Sequence, residues 1–94
     1  MDSLIEQNRA AILRIAAVHG AGNVRLFGSR ARGEAREDSD ADFLVDLVGP
    51  RTPWWPGGLV SDLEDLLGRR VDVAMVTELD DLIREDVLKE AVPL

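Results

Sequence analysis

Two aspartates stand two positions apart where a polar segment meets an apolar run, in the stretch SDADFLVDLV that contains Asp40 and Asp42. In an extended chain, side chains two apart point to the same side, with Cα atoms about 6.5–7 Å apart. Two carboxylates this close repel each other unless a cation compensates their charge. Asp72 interrupts the apolar segment VDVAMV, where an acid is costly unless it is exposed, paired or bound to metal. If the two segments are neighbouring strands, the three carboxylates form one cluster suited to divalent metal ions.

A glycine-serine pair, Gly28-Ser29, follows an apolar segment and precedes a short segment that we expect to be helical. Glycine lets a phosphate approach the backbone, and the start of a helix offers free N–H groups and a favourable dipole. The Ser29 hydroxyl adds a donor. Arg30 and Arg32 either neutralise a polyphosphate, for which Arg32 is slightly favoured, or pair with nearby acids. Together with the aspartates, the pair matches a nucleoside triphosphate and its Mg²⁺.

The composition narrows the chemistry further. The chain has no cysteine and one histidine, His19, so disulfides, thiolate sites and histidine-based zinc sites are not expected. Any metal is then held by oxygen, which favours Mg²⁺, Mn²⁺ or Ca²⁺. The net charge of −7 disfavours direct binding to DNA or RNA. The absence of cysteine makes the cytoplasm the expected compartment. With no apolar run of about 20 residues and no visible signal peptide, we expect no membrane contact and one domain over residues 1–94.

Helices and strands are predicted to alternate in the order α-β-α-β-α-β-α, which is typical of an α/β sheet covered by helices. A capping box at Ser3 and Glu6 is predicted to begin the first helix, which extends to about His19 and is ended by Gly20 and Gly22. Thr77 is predicted to cap the last helix, with an apolar side that includes Leu79, Leu82, Ile83, Val87 and Leu88. Helices are expected over about 3–19, 29–36 and 59–67 and after Thr77, and strands over 23–28, 42–48 and 69–76.

The segment GPRTPWWPGG, residues 49–58, is predicted to be a loop because it holds three prolines and three glycines. Two adjacent tryptophans, Trp54 and Trp55, cannot easily both be buried in so short a loop. Tryptophan is favoured in the centres of protein interfaces. Partner contact and local packing therefore stay open as interpretations, with stacking on adenine as a third.

The stretch GSRARG, residues 28–33, followed by SDAD, residues 39–42, resembles the GSxARG…SDxD signature of the minimal nucleotidyltransferases. These proteins belong to the DNA polymerase β-like nucleotidyltransferase superfamily, and the resemblance covers essentially the whole chain. It implies the nucleotidyltransferase fold, a small mixed β-sheet flanked by helices. By this resemblance the catalytic and metal-binding residues are Asp40, Asp42 and Asp72, the last also activating the acceptor hydroxyl, and the nucleotide is bound by Gly28, Ser29, Arg32 and Ser39. For Ser39, a role in turning the chain stays equally open.

Many stand-alone members of this size are antitoxins paired with a HEPN ribonuclease toxin. They are similar to enzymes that move AMP from ATP onto a tyrosine of that toxin, which blocks its ribonuclease site. The resemblance thus implies ATP as substrate, two Mg²⁺ ions as cofactors and a HEPN-domain toxin as partner in a hetero-oligomer. The lack of a separate acceptor domain fits an acceptor carried by another protein. The alternatives are a non-enzymatic antitoxin that acts by binding, and nucleotidyl transfer to a small molecule or RNA.

Overall fold

A four-stranded mixed sheet organises the chain in the computed structural model, which describes all of residues 1–94. Its strands are β1 (Ala21–Phe27), β2 (Ala41–Leu47), β3 (Val71–Met75) and β4 (Val92–Pro93). Their spatial order is β3-β2-β1-β4, with β1 antiparallel to both β2 and β4 and with β2 parallel to β3. This sheet with its helices confirms the predicted fold class, and the short β4 at the C-terminus is an addition to the predicted order.

The main hydrophobic core lies between one face of the sheet and the helices. Side chains alternate between the two faces of a strand, so Phe43 and Val45 of β2 point into this core, whereas Asp42 points to the opposite face. The helices supply Ile12, Leu59 and other apolar side chains to the same core. No helix is long and apolar enough to cross a membrane. The helices are α1 (Ser3–Gln7), α2 (Arg9–Val18), α3 (Ser29–Arg32), α4 (Gly57–Leu67) and α5 (Asp81–Glu90), with a 3₁₀ turn at Val76–Glu78.

The N-terminal region forms two helices, so the prediction of one continuous helix over 3–19 was wrong. Asp2, rather than Ser3, caps α1, and its Oδ1 accepts the N–H of Ile5 at 3.3 Å. Asn8 lies between α1 and α2, and its side-chain amide donates to a backbone carbonyl one turn earlier at 2.8 Å. Asparagine interrupts helices in this way because its side chain competes for backbone hydrogen bonds.

The boundaries of α3 and α5 also differ from those predicted. The helix after Ser29 ends at Arg32 instead of continuing to residue 36, because Gly33 adopts the left-handed conformation that terminates helices. Helix α5 is capped by Asp80, whose carboxylate accepts the N–H of Leu82 at 2.9 Å, and not by Thr77.

The predicted apolar side of α5 is mostly not buried. Only Val87 packs inside, while the side chain of Leu82 is 87 % exposed and Ile83 and Leu88 are exposed as well. The apolar residues of α5 are spread around the helix, and a helix packed on one side buries only a stripe of them. Helix α5 therefore presents apolar side chains to solvent beside the sheet.

Candidate functional site

The strand register brings the acidic residues and the glycine turn to one end of the sheet. Asp42 at the start of β2 is the Cα partner of Asp72 at the start of β3. On its other side Asp42 is the partner of Phe27, the last residue of β1, and Gly28 follows directly. Asp40 lies two residues before Asp42, just outside β2. Two segments separated by 30 residues in the sequence are thus neighbouring strands, which is the condition for a carboxylate cluster.

Gly28 is required at its position for two separate reasons. Its backbone has φ 75° and ψ −157°, a region that side chains with a Cβ rarely adopt. In addition, a Cβ atom on Gly28 would collide with the carboxylate of Asp42. Glycine therefore lets the acid of β2 lie directly against the turn that follows β1, which places the predicted metal ligand beside the predicted phosphate-binding turn.

Asp42 has an unfavourable electrostatic setting. Burial raises the pKa of its carboxyl above the ordinary value, and the negative charges of Asp72 and Asp40 raise it further. The positive charge of Arg32 opposes the shift but does not cancel it. A divalent cation at this place would stabilise the ionised carboxylate, so the setting suits a metal ligand better than a structural acid.

The carboxylate donors fit Mg²⁺ in their chemistry, since hard oxygen ligands on neighbouring strands are what this ion prefers. In this structure, however, no group of three histidine, cysteine, aspartate or glutamate side chains is arranged to hold one metal ion. The surface depressions of the protein are also lined by residues other than Asp40, Asp42 and Asp72. Asp40 and Asp72 are exposed and Asp42 is half-buried. The acidic group therefore lies at the protein surface, where a second molecule can approach it.

Arg30 has a structural role, because its donors are taken by groups of the protein itself. Its side chain is 4 % exposed and its Nη1 lies 3.1 Å from Oδ2 of Asp2. Its Nη2 donates to the backbone carbonyls of Ser39 at 2.8 Å and Glu37 at 2.9 Å. These contacts fix the loop between α3 and β2 against the N-terminus, so of the two predicted alternatives Arg30 takes the structural one.

Arg32 and Ser39 make contacts that the sequence did not reveal. The exposed Arg32 donates from Nη1 to Oε2 of Glu90 at 3.0 Å and lies 3.3 Å from Glu34. The hydroxyl of Ser39 accepts the N–H of Arg36 at 2.8 Å, which is the turn-forming alternative. Glu90 also accepts the N–H of Gly28 at 3.2 Å. Sequence reasoning missed Glu90 because it is 62 positions away and stands on a helix surface of ordinary mixed charge.

The loop that connects β2 to α4 and contains both tryptophans, here the tryptophan loop, lies at the opposite end of the sheet. It follows Leu47, the last residue of β2, which is five residues and about 16 Å along the strand from Asp42. Trp55 packs against the core, whereas Trp54 is 88 % exposed and has a φ of 67°. This separation argues against adenine stacking on Trp54. The packing interpretation is confirmed for Trp55, and partner contact stays a prediction for Trp54.

His19 fastens the same loop to the body of the protein. Its buried ring lies 2.7 Å from Oγ1 of Thr52 through Nδ1 and 2.7 Å from Oδ2 of Asp62 through Nε2. The first contact reaches the loop, and the second reaches α4. His19 is therefore a tether between three segments, a larger structural role than the helix end assigned to it from sequence.

The chain matches the nucleotidyltransferase domain family over residues 12–94. A protein of Methanocaldococcus jannaschii named "putative protein adenylyltransferase" is 34% identical over 88 residues, which covers 94% of this chain and 95% of that protein. The protein adenylyltransferase MntA of Thermococcus cleftensis is 44% identical over 73 residues, covering 78% of this chain and 74% of that protein.

Solved structures agree with this relationship. A structure of a "putative minimal nucleotidyltransferase" superposes with a TM-score of 0.84 at 49% identity, covering 100% of this chain and 97% of that chain. A chain of a toxin–antitoxin structure with AMP-PNP superposes with a TM-score of 0.76, covering 92% of this chain and 71% of that chain. Its identity is 19%, so this second likeness shows the shared fold alone.

Proposed function

The chain is a member of the nucleotidyltransferase domain family and a nucleotidyltransferase enzyme, and we propose that it transfers AMP from ATP to a tyrosine of a HEPN ribonuclease toxin. In this proposal residues 1–94 form one minimal nucleotidyltransferase domain, and the protein is the antitoxin that neutralises this toxin. The observation that carries the proposal is the pairing of Asp42 with Asp72 directly beside Gly28. The names of two relatives, both protein adenylyltransferases, support a protein as the acceptor.

The triphosphate of ATP is proposed to lie at the turn after β1. The backbone N–H groups of Gly28 and Ser29 and the guanidinium of Arg32 provide donors for phosphate oxygens. The φ of 75° at Gly28 supports this role, because a backbone without a Cβ allows an anion to approach closely. Ser39 holds the neighbouring turn through Arg36, so we assign it the positioning of that loop.

Asp40, Asp42 and Asp72 are the residues that would hold Mg²⁺, with two ions as the family resemblance implies. When bound, Mg²⁺ supplies charge neutralisation for the phosphates and for the leaving pyrophosphate. The raised pKa of Asp42 supports this assignment, since a cation relieves the repulsion from Asp72 and Asp40.

In the proposed reaction the tyrosine oxygen forms a bond to the α-phosphorus of ATP. The bond from that phosphorus to the bridging oxygen of pyrophosphate breaks, and the tyrosine proton passes to Asp72. Asp72 is exposed at the start of β3 and so can be reached by a hydroxyl from outside the chain. The N–H groups at Gly28 and Ser29 stabilise the charge that develops on the leaving group.

An acceptor on a separate protein suits the open surface around the aspartates, which no pocket encloses. The net charge of −7 supports a protein acceptor over RNA, because a polyphosphate backbone is repelled by an acidic chain. We place the reaction in the cytoplasm, as the cysteine-free composition led us to expect.

The proposal is tested by incubating the protein with ATP labelled in the α-phosphate, Mg²⁺ and its cognate HEPN toxin. We expect label on the toxin, and a loss of at least about 100-fold for Asp42→Asn, since a metal ligand and its charge are removed. Asp38→Asn, a charge change at an exposed acid of the same segment, is the control and should retain activity. A folded wild type that transfers no label contradicts the proposal. A toxin with phenylalanine in place of its tyrosines should accept none.

A further inference from the structure

Glu90 is the last residue of α5 and stands two positions before Val92 of β4. Pairing of Val92 with Leu26 anchors this part of the chain to the end of β1. The two carboxylate oxygens of Glu90 then take two different donors, the N–H of Gly28 at 3.2 Å and Nη1 of Arg32 at 3.0 Å. An acid from the C-terminus is therefore held in the turn after β1.

These two donors are among those assigned above to the triphosphate. A backbone N–H has a single hydrogen, so the N–H of Gly28 cannot serve Glu90 and a phosphate oxygen at full strength together. Arg32 has five N–H donors and can serve two anions, but Glu90 already takes one of them and Glu34 lies against another. Competition is therefore strict at Gly28 and partial at Arg32.

Electrostatic repulsion also disfavours binding of the triphosphate while Glu90 is in this position. The negative charges of Asp40, Asp72 and Glu90 all repel the carboxylate of Asp42, and Arg32 is the one cation whose charge opposes this repulsion. A triphosphate entering this surface meets the charge of Glu90 as well as losing a donor to it. Both effects disfavour the nucleotide while Glu90 keeps its position.

We propose that Glu90 is an internal competitor for the triphosphate position, an inference that rests on the proposed nucleotide-binding function. Binding of the Mg²⁺-nucleotide displaces the carboxylate from Gly28, and loss of pyrophosphate lets it return. Glu90 therefore weakens nucleotide binding and sets how readily the triphosphate position is occupied. A ligand without β- and γ-phosphates does not reach these donors and is unaffected by Glu90.

Calorimetric titration with Mg²⁺ and α,β-methylene-ATP, whose bond to pyrophosphate resists cleavage, tests the inference. We expect Glu90→Gln, which removes the charge but keeps the side-chain size, to bind about five-fold more tightly than the wild type. Glu85→Gln makes the same charge change on the same helix, where Glu85 pairs only with Lys89 at 3.4 Å, and should leave the affinity unchanged. Binding of AMP should be equal in all three proteins.

Equal or weaker binding of the triphosphate analogue by a folded Glu90→Gln overturns the inference, and weaker binding would make Glu90 a positioning residue for Arg32. Thermal unfolding of each variant establishes that it is folded, and Glu90→Ala gives a second variant that should also bind more tightly. If neither the wild type nor Glu90→Gln binds the analogue, the proposed function fails together with the inference. If label transfer occurs but the affinities are equal, only the inference fails.

Discussion

The two ends of the sheet differ in how their polar groups are satisfied. At the tryptophan end, the ring nitrogens of His19 contact Thr52 and Asp62, so a buried polar side chain stabilises the loop it holds. At the acidic end, Asp42 and Asp72 are neighbours of like charge, and burial adds to the cost of ionising Asp42. Unfavourable local interactions that persist in a fold are typical of functional sites. The acidic end therefore has the features expected of a functional site, and the contacts of His19 at the other end are those of a structural region.

Arg30 is the exception at the acidic end, because it is a cation with a purely structural set of partners. Replacing it with alanine leaves the part-buried Asp2 without its cation and the carbonyl of Ser39 without its donor, and we expect a loss of about 3 kcal/mol in the free energy of unfolding. Arg32→Ala is the matched control, because the side chain of Arg32 is half-exposed and its ion pairs are near solvent. It should change stability little while weakening nucleotide binding. Urea unfolding of both variants checks this; equal losses would remove the distinction between the two arginines.

A substitution at Gly28 tests whether the turn after β1 lies directly against the carboxylate of Asp42. Gly28→Ala should lower the free energy of unfolding by about 2 kcal/mol, from an unfavourable backbone conformation and a collision with the Asp42 carboxylate. Gly33→Ala is a matched control, since Gly33 also has a positive φ but has open space around its Cβ position. We expect about 1 kcal/mol for Gly33→Ala. Equal losses of unfolding free energy for the two variants in denaturant would mean that the Asp42 carboxylate is not in close contact with Gly28.

Substitutions of the two tryptophans distinguish core packing from partner contact in the tryptophan loop. Trp55→Ala should lower the free energy of unfolding by about 2 kcal/mol, because Trp55 packs against the core. Trp54→Ala should change it by less than about 0.5 kcal/mol, because the side chain is exposed. Trp54→Ala should instead weaken toxin binding in a pull-down or calorimetric titration. Unchanged affinity for the toxin would leave Trp54 without a role as an interface residue.

The crowding of like charges around Asp42 predicts a small pH dependence of stability. The folded-state pKa of Asp42 lies above its ordinary value of 3.8, so the folded protein binds the proton more readily than the unfolded chain. Stability is therefore expected to fall as pH rises from that ordinary value through the raised pKa. The effect is under about 1 kcal/mol, because Asp42 is partly exposed and solvent screens its charge.

Thermal unfolding between pH 4 and 7 without divalent metal measures this contribution. Asp42→Asn should remove it and be slightly more stable than the wild type at pH 7, while we expect it to transfer no nucleotide. Asp38→Asn serves as the control for a general change of charge. Addition of Mg²⁺ should stabilise the wild type more than Asp42→Asn, since ligand that binds only the folded state raises stability. An identical pH profile for wild type and Asp42→Asn would contradict the electrostatic description of the site.

The helices and strands with a strong local pattern could be predicted from the sequence. The contacts between distant segments could not be predicted. Apolar runs around Phe43 and Val73 predicted their strands, because continuous apolar segments of this length are buried. The break at Asn8 depends on one side chain that competes with the helix, which periodicity does not report. Strand β4 has only two residues and exists through its pairing with β1. Glu90 reaches Gly28 only because β4 holds the C-terminus there, so no local pattern signals it.

The central proposal is that residues at the acidic end of the sheet catalyse the covalent modification of a toxin. The most direct measurement is the intact mass of the HEPN toxin after co-expression with the wild type or with the double variant Asp40→Asn, Asp42→Asn. We predict that the toxin gains the mass of one or more AMP units with the wild type and none with the variant, which then fails to neutralise it. An unmodified toxin that is neutralised equally well by both proteins would contradict the claim and identify a binding antitoxin.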